Sequence, residues 1–413
     1  MKCRHCGQAL TEQLIDLGSA PPSNAYLTRQ GLAAPEKWYP LNVLVCTHCW
    51  LVQTEDFAQA DELFDAEYAY FSGFSTSWLA HCETYAAAMV ERFGLGGESL
   101  VVEVAANDGS LLGCFHDRGI PSLGVEPTAS TAASARARGL DIVEAFFGVG
   151  LARDLVQRGH RAALTAANNV LAHVPDINDF VGGFAVLLAD DGVATFEFPH
   201  LLNLVRERQF DTIYHEHYSY LSLLAVARIF AANGLAVFDV ETLPTHGGSL
   251  RVYAQRADSG VRPEGPGVAL TLNKEREAGM DQVGFYQRFQ RQAETVKDDF
   301  LAFLIEARRE GKRVAAYGAA AKGNTLLNFA GVRPDLIAFV VDRNPSKQDK
   351  YMPGSRIPIR GEDALREEQP DYIVLLPWNL RSELVQQLDY VHEWGGRFVT
   401  AIPTLTVFDA RGG

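Results

Sequence analysis

The chain has 413 residues, 47% hydrophobic and 21% charged content, and a formal net charge of −14 at pH 7. That length predicts about two or three domains, and the composition is that of a soluble globular protein with large cores. The acidic balance excludes a chain-wide role in binding nucleic acid, while leaving room for one local basic pocket around a phosphorylated ligand.

The first residues, Met1-Lys2-Cys3-Arg4-His5-Cys6, lack the apolar core of a signal peptide, and no stretch approaches the roughly 18 apolar residues of a membrane span. Six cysteines, four of them in two Cys-x-x-Cys pairs, do not resemble a secreted disulfide framework. These features predict a cytoplasmic protein without a membrane partner, and nothing in them demands more than a monomer. Cys3 and Cys6 form one knuckle and Cys46 and Cys49 the other, with Gly7 placed for a tight turn. Four thiolates in two such pairs suit a structural, tetrahedral zinc ion. His5 and His48 then read as bystanders, and Cys82 and Cys114 as ordinary partly buried thiols.

From about residue 76 to 258 strands and helices alternate. A helix is expected over 77–93, and strands over 100–104, 122–125, 163–166 and 193–198, each ending in a polar cluster. This rhythm predicts a doubly wound parallel sheet with its ligand over the carboxyl ends of the strands. Glu103 lies in the first strand, Asp108-Gly109 turns the chain into a helix, and Glu126 ends the second strand, where it could accept both hydrogens of a ribose diol. Dinucleotide enzymes share this outline but favour Gly-x-Gly-x-x-Gly, and here the loop reads Val-Ala-Ala-Asn-Asp-Gly. A nucleoside without phosphate fits better, and S-adenosylmethionine is the common one; the bland alternative is that Glu103 only caps a helix.

Tyr214-His215-Glu216-His217 packs a phenol, two imidazoles and a carboxylate into four residues, which neither helix nor strand periodicity requires. It reads as an acid–base centre, with a polar surface loop as the alternative. His215-x-His217 as a second metal site lacks evident partner ligands.

The third segment opens with a charged helical stretch over 272–309, read as a solvated face. A second α/β unit follows, with strands over 313–317, 336–342, 372–376 and 398–401. Lys322-Gly323-Asn324 opens a helix after a glycine-containing turn and could hold a diphosphate, or could be an ordinary helix start with a solvated lysine. Asp342 could accept from a ribose, and Arg251 is a weaker phosphate candidate that could equally pair with a surface acid.

Residues 102–109, Ala167-Asn168-Asn169-Val170-Leu171-Ala172-His173-Val174-Pro175-Asp176, Tyr214-His215-Glu216-His217, 246–251 and 317–324, with the four-cysteine module, resemble the nucleotide-sugar C-methyltransferases. That family serves branched-deoxysugar and antibiotic biosynthesis, including tetronitrose formation, and the resemblance spans nearly the whole chain. It implies a small zinc-binding module (1–75), a central Rossmann-like methyltransferase domain (76–258) and a C-terminal Rossmann-like domain for the nucleotide sugar (259–413). It implies further that Glu103, Asn107, Asp108, Gly109, Glu126 and Pro127 line the S-adenosylmethionine site, with Phe146, Phe147, Asn168 and Asn169 near its adenine and methionine ends. His217 would remove the sugar C-3 proton, Tyr214 would be an alternative base or enolate stabiliser, and Glu216 and His173 would orient them. Tyr68 or Tyr70 would touch the substrate, a dTDP-linked 4-keto sugar, together with Lys322, Asn324 and Asp342. Ala105-Ala106 departs from the family, where glycine or serine is frequent.

A ketone at C-4 makes C-3 acidic, so such a reaction needs one base and one group that stabilises the enolate oxygen. The competing readings are a nicotinamide-dependent nucleotide-sugar oxidoreductase, against which the missing glycine fingerprint counts, and a non-catalytic zinc scaffold, in which the acid–base run would be idle.

Overall fold

The computed structural model of the chain describes residues 1–57, 73, 76–259 and 261–409. Strands β1 (Glu12–Ala20), β2 (Tyr39–Val45) and β3 (Val52–Thr54) pair antiparallel in chain order. In β2 the buried Leu41, Val43 and Val45 alternate with Asn42 and Leu44, the period of a half-buried strand. The sequence reading missed this sheet. Gly18 (φ +74°) and the shift in register between Asp16 and Ser19 break the alternation in β1, and Pro40 sits at the start of β2.

The second sheet holds β4 (Val101–Val104), β5 (Ser122–Val125), β6 (Ile142–Val143), β7 (Ala162–Asn168) and β8 (Leu188–Pro199), all parallel. Next in the chain, β9 (Ser219–Tyr220) leaves this sheet and pairs with β3, so the residues after the Tyr214–His217 run are stitched to the N-terminal sheet. Strands β10 (Leu235–Leu243) and β11 (Ser249–Arg256) return to complete the order β10-β11-β8-β7-β4-β5-β6. β11 is antiparallel to both neighbours, which corrects the expectation of a wholly parallel sheet. The tight return at Pro244–Gly248 needs no crossover helix, so an antiparallel pair results. The helix Thr76–Phe93 covers this sheet with Cys82, Tyr85, Ala86 and Met89, an i, i+3, i+4, i+7 stripe. β5 and β7 flank β4 on opposite sides, so the winding reverses at β4 and a crevice opens beyond the carboxyl ends of β4 and β7.

The third sheet has β12 (Val314–Tyr317), β13 (Val340–Val341), β14 (Ile359–Arg360), β15 (Tyr372–Leu375) and β16 (Arg397–Thr400) in parallel, with β17 (Thr406–Asp409) antiparallel at the edge. Counted from β12, the order β14-β13-β12-β15-β16-β17 is the 3-2-1-4-5-6 order of a Rossmann sheet. The stretch expected as one helix over 272–309 is instead three helices, Pro266–Glu277, Val283–Tyr286 and Phe289–Arg309, interrupted by Gly279 in the left-handed region. The last of them is not only a solvated face, because it buries Phe289, Ala293, Val296, Phe300 and Leu304. The strand expected over 336–342 shrinks to two residues, since the amides of Leu336 and Ile337 turn back onto the Arg333 carbonyl.

Two cores bind these layers together. Leu14 and Ile15 of β1 share one with Val314 and Val340 of the third sheet and with Leu204 and Phe210. Cys3, Cys46 and Cys49 share the other with Leu171, Phe196 and Phe230 around the second sheet. The acid–base run therefore lies where all three sheets meet. Among the described residues no helix is long and apolar enough to cross a membrane.

Candidate active site

A cleft of about 200 Å³ opens at the carboxyl ends of β4, β5 and β7. Its walls include Glu103, Asn107, Glu126, Pro127, Phe147, Asn168 and Asn169, with Phe146 largely exposed beside them. The loop after β4 holds Ala105 (φ +60°) and Asn107 (φ +50°) in the left-handed region, which costs non-glycine residues about 1–3 kcal/mol each and marks a functional turn. Among the described residues neither end of the buried Asn168 amide has a hydrogen-bond partner, and neither has Glu103 Oε2. Burial pushes the Glu103 carboxyl well above the usual range, helped by Glu126 and Asp108. Such orphaned groups call for a polar ligand. Glu126 accepts from the Asn107 amide at 2.8 Å on Oε2, and from Thr128 N (2.9 Å) and Thr131 Oγ1 (3.1 Å) on Oε1. Its Oε2 keeps acceptor capacity for one more donor.

Two residues expected in this wall serve the loop instead. Asp108 Oδ1 accepts from the amide (3.2 Å) and hydroxyl (2.6 Å) of Ser110, and its Oδ2 accepts from Gly73 N (2.7 Å), so it fixes the turn that leads into the helix Ser110–His116. Gly109 stands at φ +75°, and a Cβ there would lie 2.3 Å from Leu140 Cδ1. Tyr68 and Tyr70 lie outside the described residues. Two cleft residues were missed as candidates, Trp78 and His246. The sequence signal for His246 was its place in Thr245-His246-Gly247-Gly248, where it takes φ +55°.

The acid–base run meets this cleft through His173. That ring lines the cleft and stands 4.6 Å from His217, edge to face. His217 Nδ1 donates to the Thr212 carbonyl at 2.8 Å, which leaves the lone pair on Nε2. Burial holds the His217 imidazole well below its ordinary pKa, with His173, Lys322 and His246 adding to the effect. His173 and His246 are likewise pulled down to about 4 by burial. The Tyr214 ring covers His217 at 3.9 Å.

The other two members of the run face elsewhere. His215 Nε2 donates to the carbonyls of Tyr39 (3.3 Å) and Pro40 (3.2 Å), so it shares no metal position with His217. Glu216 Oε1 accepts from Asn24 Nδ2 at 3.1 Å, and it is the Glu216 backbone carbonyl that accepts from His173 Nδ1 at 2.8 Å. The expectation that the Glu216 carboxylate orients His217 is therefore corrected: the Thr212 carbonyl does so. Burial pushes Glu216 up to about 7. Because its folded value lies above the unfolded one near 4.5, ionisation opposes folding, and stability is lost as pH rises between those values. Glu216→Gln keeps the acceptor for Asn24 and removes the charge. It should stabilise the protein by about 3 kcal/mol at pH 8 and by less than about 1 kcal/mol at pH 5, checked by urea denaturation at both values.

The C-terminal domain closes the far side. Thr325 Oγ1 donates to the Ile213 carbonyl at 2.8 Å, and Trp378 Nε1 donates to the buried Asp211 Oδ2 at 2.7 Å. A Cβ on Gly247 (φ +87°) would lie 2.7 Å from the Trp378 ring, so the His246 turn touches this domain directly. Lys322 Nζ donates to Asn379 Oδ1 at 3.0 Å and sits 5.0 Å over the Trp378 ring. It is half-buried rather than fully solvated, and desolvation pulls its pKa down, while Asp211 is pushed up to about 6 by burial. The turn before it is already occupied by protein groups. Asp342 accepts from Ala319 N (2.8 Å) and Asn344 N (2.9 Å), the Ala319 carbonyl accepts from Tyr26 and Lys347, and Asn324 Oδ1 accepts from Asn328 at 3.1 Å. Arg251 pairs with the buried Glu197 at 2.7 Å and with Glu241 at 3.0 Å, which corrects its reading as a phosphate group or a partner of a surface acid alone. Glu197 also accepts from His81 at 2.7 Å.

The sulfurs of Cys3, Cys6, Cys46 and Cys49 all lie within 4.8 Å of one another, and this is the metal-type cluster among the described residues. Cys3–Cys49 and Cys6–Cys46 are each 3.5 Å apart, close to the about 3.8 Å edge of a tetrahedron with Zn–S arms of about 2.3 Å. Gly7 (φ +73°) and Trp50 (φ +64°) turn the two knuckles, their amides donating to the Cys3 and Cys46 carbonyls. His5 bonds Asn178 at 2.8 Å and stands aside, as expected. The donor set fits zinc.

The second sheet, in the order β10-β11-β8-β7-β4-β5-β6, thus carries a cleft at its carboxyl edge and is joined to a four-thiolate module. Residues 3–64 match the family model described as "Putative zinc binding domain", and residues 244–403 match the "C-methyltransferase C-terminal domain". The C-methyltransferase NovU of Streptomyces niveus is 36% identical over 412 residues, covering 99% of this chain and 97% of the relative. The chain belongs to this C-methyltransferase family. Similar solved structures include magnesium protoporphyrin IX methyltransferase of Synechocystis PCC 6803 with bound S-adenosylmethionine (16% identity, 43% of this chain, 79% of that chain, TM-score 0.33). Another is an S-adenosylmethionine-dependent methyltransferase of Clostridium acetobutylicum (9% identity, 43% of this chain, 92% of that chain, TM-score 0.35).

Proposed function

We propose that this protein is an S-adenosylmethionine-dependent C-methyltransferase that methylates C-3 of a dTDP-linked 4-keto-deoxysugar. The supporting observation is the continuity of the two halves of the site: His173 lines the cleft and packs on His217. We assign residues 1–75 to the zinc module, 76–258 to the methyl-donor domain and 259–413 to the nucleotide-sugar domain.

The donor, when bound, supplies an electrophilic sulfonium methyl group. In this reading Glu126 Oε2 accepts from the donor's ribose, while the orphaned Asn168 amide and Glu103 carboxyl meet its polar ends. His217 Nε2 takes the proton from the carbon beside the ketone, in an apolar setting that keeps the imidazole neutral. The Tyr214 phenol and the Lys322 ammonium would donate to the developing enolate oxygen. Lys322 is thus a better partner for that oxygen or a nearby phosphate than for a diphosphate cradled by the turn, whose amide and carbonyl at Ala319 are used. Zinc, when held by the four cysteines, supplies a structural crosslink.

Calorimetry of the wild-type protein with S-adenosylmethionine tests the first half of this reading. Asn168→Ala should weaken that binding by about tenfold, the loss of one or two hydrogen bonds. Binding of a nicotinamide cofactor in its place would move the assignment to an oxidoreductase.

A further inference from the structure

We propose that the cysteine module positions the acid–base run, acting through Arg4, Gln53 and Thr54. Arg4 lies inside the first knuckle, between Cys3 and Cys6, and its side chain is only 5% exposed. Its amide donates to Gln53 Oε1 at 2.9 Å, and Gln53 Nε2 in turn donates to Cys3 Sγ at 3.3 Å. Gln53 is fully buried and pairs with Ser219 across β3 and β9. The Arg4 guanidinium donates to the carbonyls of Thr54 (2.9 Å) and Pro175 (3.0 Å) and lies 5.3 Å over the Tyr218 ring. Thr54 then reaches the run itself: its hydroxyl donates to the His217 carbonyl at 3.1 Å, and its amide donates to the Tyr218 carbonyl at 3.2 Å. From the opposite side the Tyr218 amide donates to the Ala172 carbonyl at 2.8 Å, next to His173.

The His217 backbone is thus gripped by a strand whose neighbour residue bonds a cysteine sulfur. The hydrogen bonds that lead from Cys3 through Gln53 and Arg4 to Thr54 are each directional, the Gln53–Cys3 link being buried and those of Arg4 and Thr54 part-buried, so a shift at one end is passed to the other. The His217 ring is fixed by the Thr212 carbonyl at one end and by this backbone at the other. Displacement of about 1 Å at a catalytic group can cost about 100-fold in rate, so a brace of this kind controls turnover without touching either ligand. Thr54, Gln53 and Arg4 are positioning residues, and the inference rests on His217 being the base.

The test compares Thr54→Val, which removes the hydroxyl at near-constant shape, with Thr54→Ser, which keeps it, in the full-length zinc-loaded protein. Two measurements run in parallel: the nitrogen resonances of isotope-labelled histidine rings, with His217 assigned by its loss in His217→Asn, and steady-state methyl transfer. The expected result is an unchanged zinc content, a shifted His217 signal, and kcat lowered about tenfold with KM within about twofold in Thr54→Val, all restored in Thr54→Ser. An unshifted His217 signal in Thr54→Val overturns the coupling, as does equal impairment of both variants. A shifted signal in a protein whose wild type transfers no methyl group leaves the coupling standing and removes the proposed function instead.

Discussion

His217→Asn is expected to lower methyl transfer by about 10²- to 10⁴-fold, the ordinary contribution of a general base, with S-adenosylmethionine affinity within about twofold of wild type. Asparagine retains a donor for the Thr212 carbonyl, so the loop should keep its shape while losing the basic nitrogen. The pH dependence follows from the same environment. Burial, then His173, Lys322 and His246, hold the His217 pKa well below 6.5. With His217 as the proposed base its neutral form does the work, so kcat/KM should stay flat as pH falls from 8 to about 6 and decline only below that. Tyr214→Phe should cost less than His217→Asn if the phenol stabilises the enolate oxygen. The reverse ranking, measured side by side by product mass, would transfer the base role to Tyr214.

Cys46→Ser is expected to have the second largest effect, on metal retention and on folding together. Cys46 is fully buried in the core that contains Leu171 and Phe196, so its loss removes a ligand and weakens the packing of the module on the second sheet. Because metal-binding free energy is folding free energy in such modules, zinc affinity should fall by more than about 100-fold and the thermal midpoint should drop with it. Cys82→Ser is the control. Cys82 is buried on the inner face of the helix Thr76–Phe93 with Tyr85 and Phe115, outside the four-sulfur cluster, and its variant should keep one zinc per chain. Chelator competition read by metal content distinguishes the two, and a Cys46→Ser protein that holds zinc as tightly as wild type contradicts the assignment.

How far these residues could be read from the sequence depended on the range of the forces acting on them. The acid–base run was legible because four proton-moving side chains in a row have no periodic use, and the cysteine pairs because their spacing is a ligand geometry in itself. The carboxyl-edge position of Glu126 followed from its strand end, while those of Asn168 and Asn169 came from the resemblance to the nucleotide-sugar C-methyltransferases. What was hidden is direction. His215 and Glu216 sit beside His217 in the chain, yet carbonyls of β2 take the first and Asn24 takes the second, contacts set by the N-terminal sheet. Asp108 and Asp342 looked like ligand carboxylates but were consumed by nearby backbone amides, a local demand that Asp-Gly-Ser at a helix start does advertise. Trp78, His246 and the Arg251–Glu197–His81 group depend on which strands become neighbours. The antiparallel β11 that creates that neighbourhood was not in the expected topology.

C-methylation with His217 as base is tested most directly by the structure of the product formed from S-adenosylmethionine and a dTDP-4-keto-deoxysugar by the wild-type protein. One added methyl group bonded to C-3, located by NMR, is expected, with C-3 hydrogen exchanging into deuterated water in the absence of the donor and that exchange lost in His217→Asn. A methyl group found on oxygen or nitrogen, or methylation at C-3 that persists at the wild-type rate in His217→Asn, would contradict this assignment.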